Sequence, residues 1–282
     1  MMIRIRHQKV ENQRAVKIKL FAIVGAMLVF AAFLVSCDNS VLEGMADDSS
    51  FEAKLEAARI ALDKGEYARA VELLEALYSE NPGNAVIQQY LSSAYAGLAG
   101  LDTFNLLTTI EALDDNNNSG SIDMMGLILG DSTGTLTSAQ LQEKLANIVS
   151  AMDALEGISD RNDDQNIQLG LLAVAHVSLT MGNIVLEDQG DASVTLTEEA
   201  LGAQYTDSQP ADFSDVSTET QNTSGLTEDL AYIADAVSTL DAISDAQNDL
   251  SEDFSQFRND IDSNSDGSVS ESDLENYFNN QI

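Results

Sequence analysis

Three places in this sequence hold residue types that do chemistry. Residues 262–273 read Asp-Ser-Asn-Ser-Asp-Gly-Ser-Val-Ser-Glu-Ser-Asp, with Asp262, Asn264 and Asp266 alternating ahead of Gly267. A hard divalent cation gathers six to eight oxygens at about 2.3–2.6 Å, and oxygen-bearing residues at alternating positions are what it needs. Cys37 is the sole thiol and closes an apolar run. His176 is the one imidazole beyond residue 36 and sits in the most apolar stretch. A core histidine bonded to backbone is the expectation there, rather than a base or a ligand. No glycine-rich phosphate loop, Gly-x-Ser-x-Gly elbow or zinc spacing occurs. The acidic pairs Asp114-Asp115 and Asp163-Asp164 stand in carboxylate-crowded loops, with nothing to set two of them across a sugar. The expectation is a protein that is not an enzyme.

The residues around the oxygen-rich turn space as two helices. Leu250, Phe254, Phe257 and Ile261 mark an entering helix, and Leu274, Tyr277 and Phe278 an exiting one. Residues 249–281 thereby resemble the EF-hand, a helix–loop–helix unit that holds calcium. The resemblance implies Asp262, Asn264 and Asp266 as side-chain ligands. It further implies Ser268 through its backbone carbonyl, Ser270 through a water, and Asp273 as the last ligand. Gly267 permits the sharp turn, and Val269 packs the loop. Asp273 stands where the family usually has Glu. The missing methylene means that bidentate reach needs a tighter loop or a bridging water, which implies weaker binding and less discrimination against magnesium. Such affinity suits a structural ion outside the cytosol. Residues 115–126, DNNNSGSIDMMG, place Asp115, Asn117, Ser119, Gly120, Ile122 and Asp123 in the same register but end in Gly126. An Asn-rich turn is the expectation for them.

The N-terminus reads as a targeting segment. Residues 1–19 are basic and polar, and residues 20–35, LFAIVGAMLVFAAFLV, carry no charge. That run is short for a membrane span and has the layout of a signal peptide. Its end, Leu34-Val35-Ser36-Cys37, resembles the lipobox of bacterial lipoproteins. The resemblance implies diacylglyceryl on Cys37, cleavage before it, and acylation of the new amine. Two or three chains anchor stably where one does not. Asp38 leans toward the inner membrane under the enteric sorting rule. Lipid attachment to the inner or outer membrane of a bacterial cell envelope, facing the periplasm or the exterior, is therefore expected.

The mature chain divides into a tether at 37–50, a helical domain at 51–202, a polar loop or linker at 203–225, and C-terminal helices at 226–282. Phe51, Leu55, Ala58 and Leu62 form one apolar stripe, and Tyr67, Ala70, Val71, Leu74, Leu77 and Tyr78 a second. Lys64-Gly65-Glu66 and Asn81-Pro82-Gly83-Asn84 break the helices. A third carries Val86, Tyr90, Leu91, Tyr95 and Leu98. Residues 51–84 resemble a tetratricopeptide repeat (TPR), with Ala58, Ala61, Gly65, Tyr67, Ala70 and Pro82 in place. A second unit begins at Ala85 and departs from the pattern at Phe104. One repeat cannot bury its own face, so downstream helices must cover it. Leu141, Leu145, Ile148, Met152 and Leu155, after Thr137-Ser138, supply one; Leu226, Leu230, Ile233, Val237 and Leu240, after Thr227 or Ser224, supply another. Residues 166–186 are apolar all round. Gln168, His176, Asn183 and two glycines point to a bundle core and not a membrane. The fold class expected is all-α: a helical bundle with TPR-like helix-turn-helix pairs and a C-terminal EF-hand-like helix-loop-helix.

Charge narrows the partners. The chain carries −34; six of its 13 basic and one of its 47 acidic residues lie in the first 36, so the remainder holds 7 basic against 46 acidic residues and −39. Such a body repels nucleic acid. The reading that follows is a membrane-anchored scaffold that binds a protein or peptide partner and a calcium ion. The alternative is a ligand-binding accessory component of a solute transporter, with a pocket beside His176. The sequence leaves the oligomeric state open.

Overall fold

A computed structural model describes residues 50–101, 135–189, 193–195, 219–243 and 249–280. The expected signal peptide at 1–36, Cys37 and the expected tether up to residue 49, Phe104, residues 115–126 and residues 196–218 lie outside the described residues. Helices dominate what is described: α1 Phe51–Asp63, α2 Tyr67–Glu80, α3 Ala85–Leu98, α4 Ser138–Glu156, α5 Asp163–Gln189, α6 Glu219–Ile243, α7 Asp249–Ile261 and α8 Glu271–Asn280. The fold is all-α. The exception among the described residues is one antiparallel bridge, β1 Leu136–Thr137 against β2 Ser193–Val194.

Local chemistry sets the boundaries. At the end of α1, Gly65 adopts φ 71°, its N–H bonds the Leu62 carbonyl at 2.9 Å, and the Glu66 N–H reaches back to Ala61 at 2.8 Å. This left-handed closure satisfies carbonyls that the helix end would orphan. Gly100 ends α3 in the same way at φ 91°, with the Leu101 N–H on the Ala96 carbonyl at 2.9 Å. Asn84 caps α3 by accepting the Val86 and Ile87 N–H groups. Thr137 caps α4 in a reciprocal box with Gln140.

The buried faces of α1 and α2 follow their stripes through Ala58, Ala61, Leu62, Ala70, Leu74 and Leu77. The third helix departs from its expected stripe. Val86 and Leu98 are 49% and 39% exposed, while Ile87, Ser92, Ser93, Ala94 and Ala96 are buried. The reason is that α3 lies against both α2 and α4, so two faces are covered and the apolar spacing marks neither alone. Tyr67 lays its ring on α3 at Gly97, where an added Cβ would come within 2.2 Å of the ring.

The core centres on α5, whose residues from Ile167 to Leu186 are buried apart from His176, which keeps a narrow opening to solvent. α5 is long and apolar enough to cross a membrane, yet its apolar stretch is enclosed by protein. Its polar groups find partners inside: Gln168 donates to Ser93 at 3.0 Å, and Gln142 donates to Asn183 at 2.6 Å. α6 packs closest to it, at Gly170, where an added Cβ would lie 2.3 Å from the Ala236 methyl. α6 also begins earlier than its apolar stripe, so residues 219–225 of the expected linker are helical.

Candidate functional site

The loop between α7 and α8 is shaped by its own backbone. Ser265 and Gly267 take φ 58° and 81°, which turns the chain twice within a few residues. Glycine takes such angles freely; a serine takes them only when neighbouring bonds hold it. Those bonds are present. Asp262 accepts the Asp266 N–H on Oδ1 at 3.1 Å and the Gly267 N–H on Oδ2 at 2.9 Å. Asn264 Oδ1 also accepts the Asp266 N–H, at 2.8 Å. Asp266 Oδ1 accepts the Ser268 N–H at 2.9 Å and the Ser268 hydroxyl.

Asp273 closes the loop from the far side. Its Oδ1 accepts the Ser263 hydroxyl at 2.7 Å. Its Oδ2 accepts the Ser270 N–H at 3.1 Å and the Ser270 hydroxyl, with Asn264 Nδ2 at 3.5 Å. The Ser270 hydroxyl in turn receives the Asp273 N–H at 3.4 Å. Ser270 and Asp273 thus form the reciprocal cap of α8 as well as part of the loop. The outer flank is tied by Asn276, which donates to the Ser263 hydroxyl at 3.2 Å.

The helices that carry this loop bury Phe254, Phe257, Ile261, Leu274 and Tyr277, and the loop itself buries Val269. The side chains of Leu250 and Phe278 lie outside the described residues. The Val269 N–H is taken by Thr227 Oγ1 of α6 at 2.9 Å, a contact absent from the sequence reading. It answers a backbone donor that burial would otherwise leave costly.

Two carboxylates are hidden here: Asp262 is 2% and Asp273 1% exposed. The donors that hold them are backbone N–H groups, hydroxyls and an amide, all neutral. Burial pushes Asp273 up, but the hydroxyls of Ser270 and Ser263 and the backbone N–H groups of Ser270 and Asn264 outweigh it and hold the carboxyl below the ordinary range. Asp266 is likewise held low, by the Ser268 hydroxyl and N–H. The loop therefore keeps Asp266 and Asp273 ionised. A carboxylate offers about four lone-pair directions, so these bonds leave acceptor capacity on Asp262 and Asp266, while Asp273 already receives four donors. Among the described residues no three His, Cys, Asp or Glu side chains are gathered into a ready metal cluster. The oxygen-rich set expected here mixes carboxylate, amide, hydroxyl and backbone carbonyl, and its acids are turned toward loop N–H groups.

A second polar site lies in the bundle. His176 of α5 meets Asp229 of α6, Nδ1 to Oδ2, at 2.6 Å, and Asp229 is 1% exposed. This corrects the expectation of a backbone partner. The carboxylate wins because α6 delivers it to the same buried point, where an imidazole N–H is worth more to it than to a carbonyl. Glu156 of α4 and Glu228 and Tyr232 of α6 stand nearby. The Tyr232 hydroxyl donates to Glu228 at 3.0 Å, and burial together with Glu156 raises its pKa far above the ordinary value.

Compared with known protein families, curated proteins and solved structures, the chain matches none.

Proposed function

We propose that this chain is a lipid-anchored, non-enzymatic protein of a bacterial cell envelope, a TPR-like scaffold for a protein or peptide partner, with a structural calcium ion in the 262–273 loop. The observation that carries the calcium part is the burial of Asp262 and Asp273 in one loop whose donors to them are all neutral. Anionic oxygens held ionised and facing only dipoles are stabilised further by an entering cation. Asp262, Asn264, Asp266 and Asp273 would hold the ion with side-chain oxygens, Ser268 with its carbonyl and Ser270 through a water. The scaffold part is supported by the α1–α3 hairpins, with Gly65 and Asn84 at their turns. His176 is bonded to Asp229 at 2.6 Å, and its neighbours along α5 are buried. Such packing favours the scaffold over a pocket for a transported ligand.

Calcium at about a hundredfold its dissociation constant is expected to stabilise the protein by roughly 2–3 kcal/mol. That is a rise in Tm of about 5–10 °C. The paired change Asp262→Ala and Asp266→Ala removes the rise; identical melting curves in calcium and in EDTA reject the site. Growth with radiolabelled palmitate tests the anchor, since Cys37→Ser abolishes labelling. Affinity capture of the lipidated protein from detergent-solubilised membranes, with calcium and with EDTA, tests the scaffold. Recovery of a defined partner complex is the expected result.

A further inference from the structure

The bundle buries an imidazole–carboxylate pair where an apolar contact would have filled the space. His176 and Asp229 are 53 residues apart in sequence and meet at 2.6 Å between α5 and α6. Neither helix offers Asp229 another cation. The groups facing the imidazole are Asp229 from α6 and Glu156 from α4, with Glu228 beside Asp229 and Arg161 directed at Glu156. The Tyr232 hydroxyl, which donates to Glu228, also stands beside Glu156. An imidazolium here is the positive centre of an otherwise acidic cluster. A neutral imidazole leaves Asp229 as a hidden carboxylate without a counter-charge, the costly case for a buried ion. Gly225, one turn ahead of Asp229, leaves about a methyl's width between its backbone and the ring, so the pair lies on the N-terminal half of α6.

We propose that His176 and Asp229 form a proton-dependent clasp: with the imidazole protonated it fastens the Gly225–Tyr232 segment of α6 to α5, and loss of that proton as pH rises loosens the segment. Burial opposes the imidazolium, but the hydrogen bond and charge of Asp229, with Glu156 adding, carry the histidine pKa above its ordinary 6.5. A raised folded-state value means that the stabilisation is complete below about pH 6.5 and fades as pH rises through the folded value. The device is independent of the calcium loop, and it works in EDTA.

The direct test is the titration of the His176 ring by NMR in the full chain, its signal told from that of His7 by the His176→Gln variant. The expected midpoint lies above 6.5, and Asp229→Asn lowers it, since burial is then opposed by Glu156 alone. A wild-type midpoint at or below 6.5 overturns the clasp. Hydrogen exchange supplies the conformational arm. After correction for intrinsic rates, amides of residues 225–232 are expected to exchange about tenfold faster at pH 9 than at pH 6 in the wild type. His176→Gln is expected to flatten that ratio. Equal ratios in the two proteins overturn the proposal. If His176→Gln does not fold, the Asp229→Asn titration and the wild-type exchange ratio decide alone.

Discussion

Asp229 of α6 and Asp273 of the α7–α8 loop are equally hidden, each 1% exposed, but they keep different company. Asp229 meets an imidazole brought from another helix at 2.6 Å. Asp273 meets two serine hydroxyls and a serine N–H from its own loop. The first charge is answered by a titrating cation when the bundle assembles. The second is answered by dipoles, and its neighbours Asp262 and Asp266 add charge of the same sign. The contrast teaches where dependence on the surroundings enters. Under the two proposals, the bundle site would respond to proton concentration and the loop to a cation supplied by the medium.

The largest expected effect comes from removing the partner and leaving the charge. His176→Leu strands Asp229 in an apolar interface. Such broken pairs cost about 3–5 kcal/mol, discounted here to roughly 3 kcal/mol because the ring keeps some solvent. Urea denaturation measures it. The double change His176→Leu with Asp229→Leu should return most of that loss, since an apolar pair of similar size replaces an ion pair at little net cost. A double variant as unstable as the single one would break the comparison, because the pair would then matter for shape and not for charge.

The loop should respond in the opposite sense. Asp273→Asn keeps an acceptor for the Ser270 N–H, turns an amide N–H toward the Ser263 hydroxyl oxygen in place of the lost acceptor, and removes one of three like charges. In EDTA its Tm is expected within about 2 °C of the wild type, a change of less than 1 kcal/mol. In calcium it should lose the gain of roughly 2–3 kcal/mol. A large loss in EDTA would mean that the carboxylate is already satisfied as a structural cap, which removes the reason for proposing an ion.

The two sites also differ in how readily the sequence discloses them. The loop is local: its acids, its glycine and the reciprocal cap of α8 fall within a dozen residues, and alternation makes them visible. The central place of α5 is visible from composition alone. Asp229 is not, because nothing in a chain with 47 acidic residues marks the one that will lie 53 positions from a histidine and touch it. The early start of α6 was hidden because Glu219–Ser224 is polar and carries no apolar period. The buried face of α3 was misread because a helix pressed between two neighbours loses the one-sided stripe on which periodicity depends. The bridge between Leu136 and Val194 gives too short an alternation to register.

One bond lets the independence of the two sites be measured. Thr227 of α6 accepts the Val269 N–H of the loop at 2.9 Å, and it lies in the same helical turn as Asp229. Thr227→Val keeps shape and removes that acceptor, which should cost about 1 kcal/mol, the usual result of leaving a half-hidden donor without its partner. In this variant the loss is expected to be larger in EDTA than in calcium, since an ion would hold the loop by other oxygens. The cost should add to that of His176→Leu within about 0.5 kcal/mol if bundle and loop respond separately. A coupling beyond that, read from a double-mutant cycle in urea, would mean that the α6 turn carries strain between them. Proton release at His176 would then weaken the ion site as well as the helix, and the two buried carboxylates would belong to one system.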